Sequence, residues 1–187
     1  AHDAIADGIY ATIRHGIDGA LTVADLLEPH AIAAIKPSAP TAPPSRLAVG
    51  LQSALNAAVG DHLHHSANPL AITLGFYADG HRIPLTSAGL SAHLPELSDR
   101  LCLLIHGLGC DEHHWQRTVA TADDAPSRDY GQQLQADLGY TPLYLRYNTG
   151  LPVAKNGQDL ARQLENLLGV YPLPVRELVI IGHSMGG

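Results

Sequence analysis

The sequence contains few of the residues that mark several common classes of protein. Its 187 residues include two cysteines, one tryptophan and one phenylalanine, and only 11 residues are lysine or arginine. Two cysteines, Cys102 and Cys110, are too few for a disulfide framework, so both are predicted to be free thiols. The net charge is −7, and no stretch gathers the basic side chains that phosphate contacts need. We therefore predict no nucleic-acid partner.

Long apolar runs are also missing. Apolar segments such as 101–105 and 178–181 are far shorter than the roughly 20 residues that span a bilayer, and they predict buried strands instead. Both ends of the sequence look cut, because it begins at Ala1 rather than at methionine and Gly187 falls inside a motif that should open a helix. We therefore expect a longer protein. Its compartment stays open, with the cytoplasm favoured and a lost signal peptide as the alternative.

Histidine, in contrast, is abundant, with 12 copies. The runs at His62–His65 and His113–His114 raise the question of a metal site. Neither run has cysteine or carboxylate partners at the spacing that metal ligands usually show. The sequence therefore predicts no metal site, and nothing in it calls for a cofactor.

Periodicity divides the chain into three parts. Residues 1–35 predict an N-terminal helical segment, in which isoleucine recurs at every fourth position. Residues 36–46 contain four prolines and predict a linker. Residues 47–187 predict an α/β domain, because helical and strand patterns alternate along them.

The elements expected within residues 47–187 begin with a helix and a hairpin. Leu51, Leu55, Val59 and Leu63 form one apolar stripe at four-residue spacing, and Asp79-Gly80 is a strong signal for a type I′ turn. The elements are, in order, a helix around 51–63, a hairpin at 71–85, a polar connection over 87–100, a strand at 101–105, a helix at 128–138, a strand at 142–147, a helix at 156–168 and a strand at 178–181. Strands that alternate with crossover helices predict a parallel sheet covered on both faces.

The first motif that carries chemistry follows the last strand. The run Gly182-His183-Ser184-Met185-Gly186 fits the G-x-S-x-G nucleophile elbow. In such an elbow the serine lies at a sharp, strained turn, and the residues two positions away must be small for the turn to close. The sequence therefore predicts Ser184 as a nucleophile, with the N–H of Met185 as a donor to the developing oxyanion.

A second motif follows the earlier strand. Acyl transfer needs another N–H aimed at the oxyanion, and in loops such as His106-Gly107-Leu108-Gly109 the donor is the residue after His-Gly. Leu108 is therefore predicted to supply it, and Gly109 lets the backbone approach the substrate closely. Each motif alone could be an ordinary glycine-rich turn. Their occurrence on two strands separated by one helix-strand-helix unit favours a catalytic site.

From residue 101 to residue 187 the chain resembles the α/β-hydrolase family. The likeness is to bacterial lipases and esterases with a His-Gly-hydrophobic-Gly oxyanion loop and a Gly-His-Ser-Met-Gly-Gly elbow. Tyr147-Asn148-Thr149-Gly150 and Asn156-Gly157 also resemble that branch, and the hairpin resembles the family's two opening strands. The resemblance implies that residues 47–187 are the N-terminal part of an α/β-hydrolase domain, the front half of its sheet.

The same resemblance assigns roles to individual residues. Ser184 would be the nucleophile, and the N–H groups of Met185 and Leu108 would form the oxyanion hole. The acid and the histidine of the triad would follow Ser184 and so lie beyond Gly187. His183 is not expected to act as the base, because its side chain cannot turn back onto the adjacent serine, and His106 is expected to be structural.

The acidic residues upstream of the serine are on the wrong side of the chain order for the triad. They are expected in a solvated loop: Asp111, Glu112, Asp123 and Asp124. Without a base the hydroxyl of Ser184 is a poor nucleophile, so residues 1–187 alone are not expected to turn over substrate. They are also not expected to fold stably, because the strand before Ser184 would be left as an open, apolar sheet edge.

The favoured function is hydrolysis of carboxylic esters through an acyl-enzyme on Ser184. The substrate is expected to be a small-molecule ester or a lipid, uncharged and partly apolar, because the chain is acidic. Two alternatives stay open: an acyltransferase or other hydrolase on the same fold, and a non-catalytic binding protein. The sequence does not determine the acyl-chain length, the oligomeric state or the role of the N-terminal helices.

Overall fold

A computed structural model describes residues 44–94, 96–117 and 128–187, which form a mixed α/β fold with an open five-stranded sheet and four helices. The helices are α1 (Arg46–His65), α2 (Ser87–His93), α3 (Tyr130–Leu138) and α4 (Val153–Val170). The strands are β1 (Gly75–Ala78), β2 (His81–Arg82), β3 (Arg100–Ile105), β4 (Gln116–Arg117), β5 (Arg128–Asp129), β6 (Thr141–Arg146) and β7 (Glu177–Gly182). Two short 3₁₀ turns cover Glu112–Trp115 and Ser184–Gly186.

The sheet has the strand order β2-β1-β6-β3-β7, and β4 pairs with β5 in a separate ribbon. Strand β3 runs parallel to both of its neighbours, so that Leu103 pairs with Leu143 on one side and Ile180 on the other. Strand β1 runs antiparallel to β6 and is joined to β2 by a turn in which Asp79 and Gly80 have φ values of 49° and 75°. The expected hairpin and parallel strands are therefore confirmed.

The core lies on both faces of the central strands. On one face, Leu101, Leu103 and Leu143 are fully buried against α2 and α4, with Leu167 of α4 also inaccessible.

On the other face, Cys102 and Leu104 belong to a cluster that also contains Tyr140 and Tyr144. Side chains such as Trp115 and Leu134 cover this cluster. This two-sided burial explains why the sequence of β3 is a continuous apolar run.

Helix α1 begins after Ser45, whose side chain accepts a hydrogen bond from the N–H of Ala48 (3.2 Å). The apolar stripe expected on this helix is only partly correct, because Leu51 is 57% exposed while Val59 and Leu63 are buried. The helix is kinked at Val59, where φ is −138°. Its buried side also carries Asn56, whose amide donates to the carbonyl of Leu70 (2.8 Å).

The polar connection expected over 87–100 is wrong in its first half, where the chain forms α2. Thr86 caps this helix by accepting a hydrogen bond from the N–H of Gly89 (3.0 Å), and Leu90 anchors it with a fully buried side chain.

The helix expected from residue 128, α3, begins instead at Tyr130, because Asp129 serves as its N-cap. Gly139 ends it with φ at 70°.

The helical segment expected over 1–35 lies outside the described residues, as does the expected linker up to residue 43. Residue Arg46, placed in that linker, is the first residue of α1. Within the described part of the chain, no helix is both long enough and apolar enough to cross a membrane.

Candidate functional site

Ser184 lies on a sharp turn directly after β7. The N–H of His183 donates to the carbonyl of Ile105 (2.9 Å), which continues the pairing of β7 with β3 to the end of the strand. The next residue, Ser184, then has φ at 55°, a conformation that is uncommon for any residue with a Cβ atom. Strain of this kind is worth roughly 1–3 kcal/mol and is concentrated at functional sites. Ser184 as a residue is exposed to solvent.

The glycines two positions before and after Ser184 allow this turn to close. A Cβ atom at Gly186 would lie 2.6 Å from the carbonyl oxygens of both Ile105 and His106. A Cβ atom at Gly182 would collide with the carbonyl oxygen of Gly186. Both clashes involve backbone atoms, which cannot rotate out of the way. The G-x-S-x-G spacing thus has a direct steric cause in this fold.

The loop that follows β3 is a second tight turn. The N–H of Cys110 donates to the carbonyl of Gly107 (3.2 Å), and Gly109 has φ at 70°. These two features match a type II turn over residues 107–110, with glycine at its third position.

The two loops touch each other across the ends of β3 and β7. A Cβ atom at Gly107 would lie 3.1 Å from the Cβ of Ser184 and 3.2 Å from the carbonyl oxygen of His183. The parallel pairing of β3 and β7 therefore brings the two motifs together, although Gly107 and Ser184 are 77 residues apart in the sequence.

The predicted oxyanion donors are backbone groups on these two loops. Among the described residues, neither the N–H of Leu108 nor that of Met185 donates to another protein group. The side chain of Leu108 is 58% exposed, whereas that of Met185 packs against the core. Both N–H groups are therefore free to bind a ligand, and their assignment as an oxyanion hole stays a prediction.

His106 is a fully buried residue at the start of the second loop. Its Nδ1 donates to the carbonyl of Gly107 (3.0 Å), and its ring stacks on that of Tyr147 with 4.6 Å between the centroids. The hydroxyl of Tyr147 donates to the carbonyl of His106 (2.8 Å). Burial lowers the pKa of His106, so the ring is held neutral.

Residues 147–150, which follow β6, form hydrogen bonds with the loop over residues 107–110. Thr149 accepts a hydrogen bond from the N–H of Gly109 (3.2 Å). Asn148, which is buried, donates to the carbonyl of Gly60 in α1 (2.8 Å) and accepts from the N–H of Gly150 (3.0 Å). Sequence reasoning noted this segment but did not connect it with α1. The available signal was the Asn-Thr-Gly run directly after a buried strand.

His183 and His114 form a stacked pair beside the serine. Their ring centroids are 4.5 Å apart, with 30° between the planes, and both residues are exposed. In the described part of the chain, neither ring forms a hydrogen bond with the hydroxyl of Ser184. The described residues therefore supply no general base in contact with the serine.

The solvated loop expected around Asp111 and Glu112 is wrong, because both residues are buried. Glu112 accepts two hydrogen bonds from the guanidinium of Arg146, one of them at 2.6 Å from Nε, and this guanidinium lies 4.0 Å from the ring centre of Tyr77. The partner in β6 is 34 residues away, so no local pattern could reveal it. Asp123 and Asp124 lie outside the described residues.

Asp111 caps the 3₁₀ turn that follows the loop. Its carboxylate accepts hydrogen bonds from the backbone N–H of His113 (2.9 Å) and from its ring Nδ1 (3.0 Å). Burial raises the pKa of Asp111, but the hydrogen bonds from His113 outweigh it and leave that pKa below its ordinary value.

The ligand atoms of Asp111, Glu112 and His113 lie within 4.8 Å of one another. Two carboxylates therefore lie close to His113, although the sequence shows no ligand spacing of the usual kind around it. The two carboxylates are nevertheless already occupied, one by the guanidinium of Arg146 and the other by His113. Because a metal ion would have to displace both contacts, we assign none to this cluster.

Comparisons with protein-family models, with curated proteins and with solved structures gave no match for this chain. The chemistry of the site therefore rests on its own geometry and on the resemblance of its motifs.

Proposed function

We propose that this chain carries the nucleophile and the oxyanion hole of a serine hydrolase of the α/β-hydrolase type, acting on carboxylic esters. One observation carries the proposal. Ser184 is an exposed residue held at positive φ on a glycine-flanked turn at the end of a parallel strand, and a second glycine loop is in contact with it. Strained serines in this setting are typical of nucleophile elbows.

The proposed reaction begins when the Oγ of Ser184 attacks the ester carbonyl and its proton passes to a general base. The carbonyl oxygen becomes an oxyanion that accepts hydrogen bonds from the N–H groups of Leu108 and Met185. The alcohol then leaves with a proton, and water hydrolyses the acyl-enzyme. Removal of one oxyanion donor typically slows such reactions by about 10²–10³-fold.

The described residues place no base against Ser184, and a serine hydroxyl needs one at neutral pH. Following the resemblance, we place the base and its acid among residues that come after Ser184 in the complete reading frame. A protein limited to residues 1–187 would then be inactive.

The substrate class follows from charge and from the exposure of the site. The net charge of −7 disfavours anionic substrates, and the exposed side chain of Leu108 adds an apolar group beside the predicted donors. An uncharged ester with a partly apolar acyl or alcohol group fits both. An acyltransferase on the same site would be recognised by a transferred acyl product when an alcohol acceptor is supplied.

The test measures hydrolysis of nitrophenyl esters of short and long acyl chains by the product of the complete reading frame. We expect turnover that falls by about 10³-fold or more in Ser184→Ala, because no other group can form the acyl-enzyme. Labelling of Ser184 by a fluorophosphonate, detected by mass spectrometry, is the parallel readout. A folded protein that neither turns over any ester nor takes the label would contradict the proposal.

A further inference from the structure

His106 is a buried polar residue for which the proposed reaction has no direct use. Its accessible surface is zero, and the only hydrogen bond that its side chain forms in the described part of the chain joins Nδ1 to the carbonyl of Gly107 (3.0 Å). A carbonyl can only accept, so Nδ1 carries the ring proton and Nε2 is bare. That Nε2 is buried without a partner among the described residues. A buried acceptor without a partner is unfavourable, so packing alone does not explain a histidine at this position.

The bond made by Nδ1 acts on a peptide unit that matters to the proposed site. The carbonyl of Gly107 and the N–H of Leu108 belong to the same peptide group, and no cis peptide occurs in the described chain. In a trans peptide these two groups point in opposite directions. Whatever holds the Gly107 oxygen on one side therefore holds the Leu108 N–H on the other.

This peptide unit has little else to fix its orientation. Gly107 has no Cβ atom, so rotation of the plane that follows it meets a low steric barrier. The N–H of Cys110 binds the same Gly107 oxygen, but at a longer distance of 3.2 Å. His106 itself is clamped, because Tyr147 stacks on its ring and donates to its carbonyl. A rigid donor thus faces a flexible acceptor.

We infer that His106 is a positioning residue that sets the direction of the Leu108 N–H through the carbonyl of Gly107. The inference rests on the proposed function, in which this N–H binds the oxyanion. The imidazole stays neutral and contacts no substrate atom. Its role is to keep the donor aimed before the substrate arrives, which avoids reorganisation during the reaction.

The test compares two substitutions in the product of the complete reading frame. His106→Leu replaces the ring donor with an apolar side chain that cannot donate a hydrogen bond. In His106→Asn, the side-chain amide nitrogen can donate in place of Nδ1. We expect His106→Leu to lower kcat by roughly 100-fold with KM changed less than about threefold, since the lost interaction acts on the transition state. We expect His106→Asn to recover at least about tenfold of that loss.

A purely structural role predicts a different pattern. In that case the loss of activity would follow the loss of thermal stability, and the two variants would lose kcat alike whenever their Tm values are alike. Equal kcat loss in Asn and Leu variants of matched Tm would overturn the inference. So would a His106→Leu variant with the wild-type kcat.

A second readout does not depend on activity. The imidazole ¹⁵N shifts of His106 should show a proton on Nδ1 and none on Nε2, and the ¹⁵N–H signal of Leu108 should move in His106→Leu and return in His106→Asn. A proton on Nε2, or a Leu108 signal that does not respond, would overturn the inference. If the wild type has no Ser184-dependent turnover, the proposed function fails, and this spectrum still decides whether His106 holds the peptide.

Discussion

Single atoms decide whether the turn at Ser184 can form. Gly186 lies where a methyl group would meet two carbonyl oxygens of the neighbouring strand end, each at 2.6 Å. Gly157, in α4, has no atom within 4 Å of the position that its Cβ would take. The two glycines therefore form a matched pair, one required by contact and the other not.

We predict that Gly186→Ala lowers the free energy of unfolding by about 2–4 kcal/mol, because backbone atoms must shift to accept the methyl group. Gly157→Ala should raise it by about 0.5–1 kcal/mol, since alanine favours the helix. Urea unfolding of both variants measures the difference. If Gly186→Ala were as stable as Gly157→Ala, the turn could not be as tight as described.

His106 also gives a pH dependence whose sign can be worked out. Burial lowers its pKa in the folded protein, so below about pH 6.5 the unfolded chain binds a proton that the folded chain does not. The stability that depends on neutral His106 is thus fully present above that pH. It is lost as the pH falls toward the lower folded pKa.

We predict that the stability advantage of wild type over His106→Asn shrinks between pH 7.5 and pH 5.5, by at most about 1.4 kcal/mol, because the unfolded histidine takes up a proton and asparagine does not titrate. Urea unfolding at the two pH values measures it, and the subtraction removes the other histidines. An advantage that stays constant or grows at the lower pH would show that His106 does not stay neutral.

At the scale of elements, α1 is tied to the predicted oxyanion loop through segment 147–150. Asn148 joins Gly60 of α1 to Gly150, and Thr149 holds Gly109. The fit is close, since a Cβ atom at Gly60 would collide with the side chain of Asn148. Helix α1, which precedes the sheet, is therefore connected to the 107–110 loop through these hydrogen bonds.

We predict that Asn148→Ala lowers the free energy of unfolding by about 2–4 kcal/mol, since it removes a buried side chain together with its hydrogen bonds to the Gly60 carbonyl and the Gly150 N–H. Asn166→Ala, on the exposed face of α4, is the control and should change it by less than about 0.7 kcal/mol. Activity of the Asn148 variant should also fall, because Thr149 would hold Gly109 less firmly. Equal stability of the two variants would contradict the tie.

The elements that the sequence predicts correctly are those whose pattern is set by local burial. Strand β3 is buried on both faces, so its continuous run of apolar residues predicts a strand correctly. Helix α2 was missed because it is short and Leu90 is its only fully buried residue. The stripe on α1 failed at Leu51 because the buried side of that helix includes polar Asn56, which binds the distant segment after the helix.

For the site, the sequence predicts the turn residues and misses their long-range partners. The glycines around Ser184 and in the 107–110 turn have steric roles that a local motif records. The pairing of Glu112 with Arg146 depends on how two elements meet in space, and no spacing rule contains that information.

At the scale of the whole molecule, the two cysteines differ in their position relative to the sheet. Cys102 lies in the central strand, opposite Pro142 on one side and Val179 on the other, and is 1% exposed. Cys110 is half-buried in the loop next to Ser184. Burial raises the pKa of both thiols, which slows their reaction with alkylating agents.

We predict that a thiol reagent modifies Cys110 and Cys102 of the native protein at two well-separated rates. Cys110 should react first, and Cys102 should react only when β3 separates from a neighbouring strand. Mass spectrometry over time measures both, with Cys110→Ser isolating the slow phase. Rapid modification of Cys102 in the native protein would contradict the burial of this strand.

The central position of Cys102 has a consequence for measuring the dynamics of this protein. When the sheet recloses faster than the thiol reacts, the labelling rate of Cys102 divided by the rate of a free thiol gives the fraction of time that the sheet is open. The rate at Cys110 reports the loop alone. A single labelling time course at the two natural cysteines, Cys102 and Cys110, therefore separates local opening of the loop from opening of the sheet.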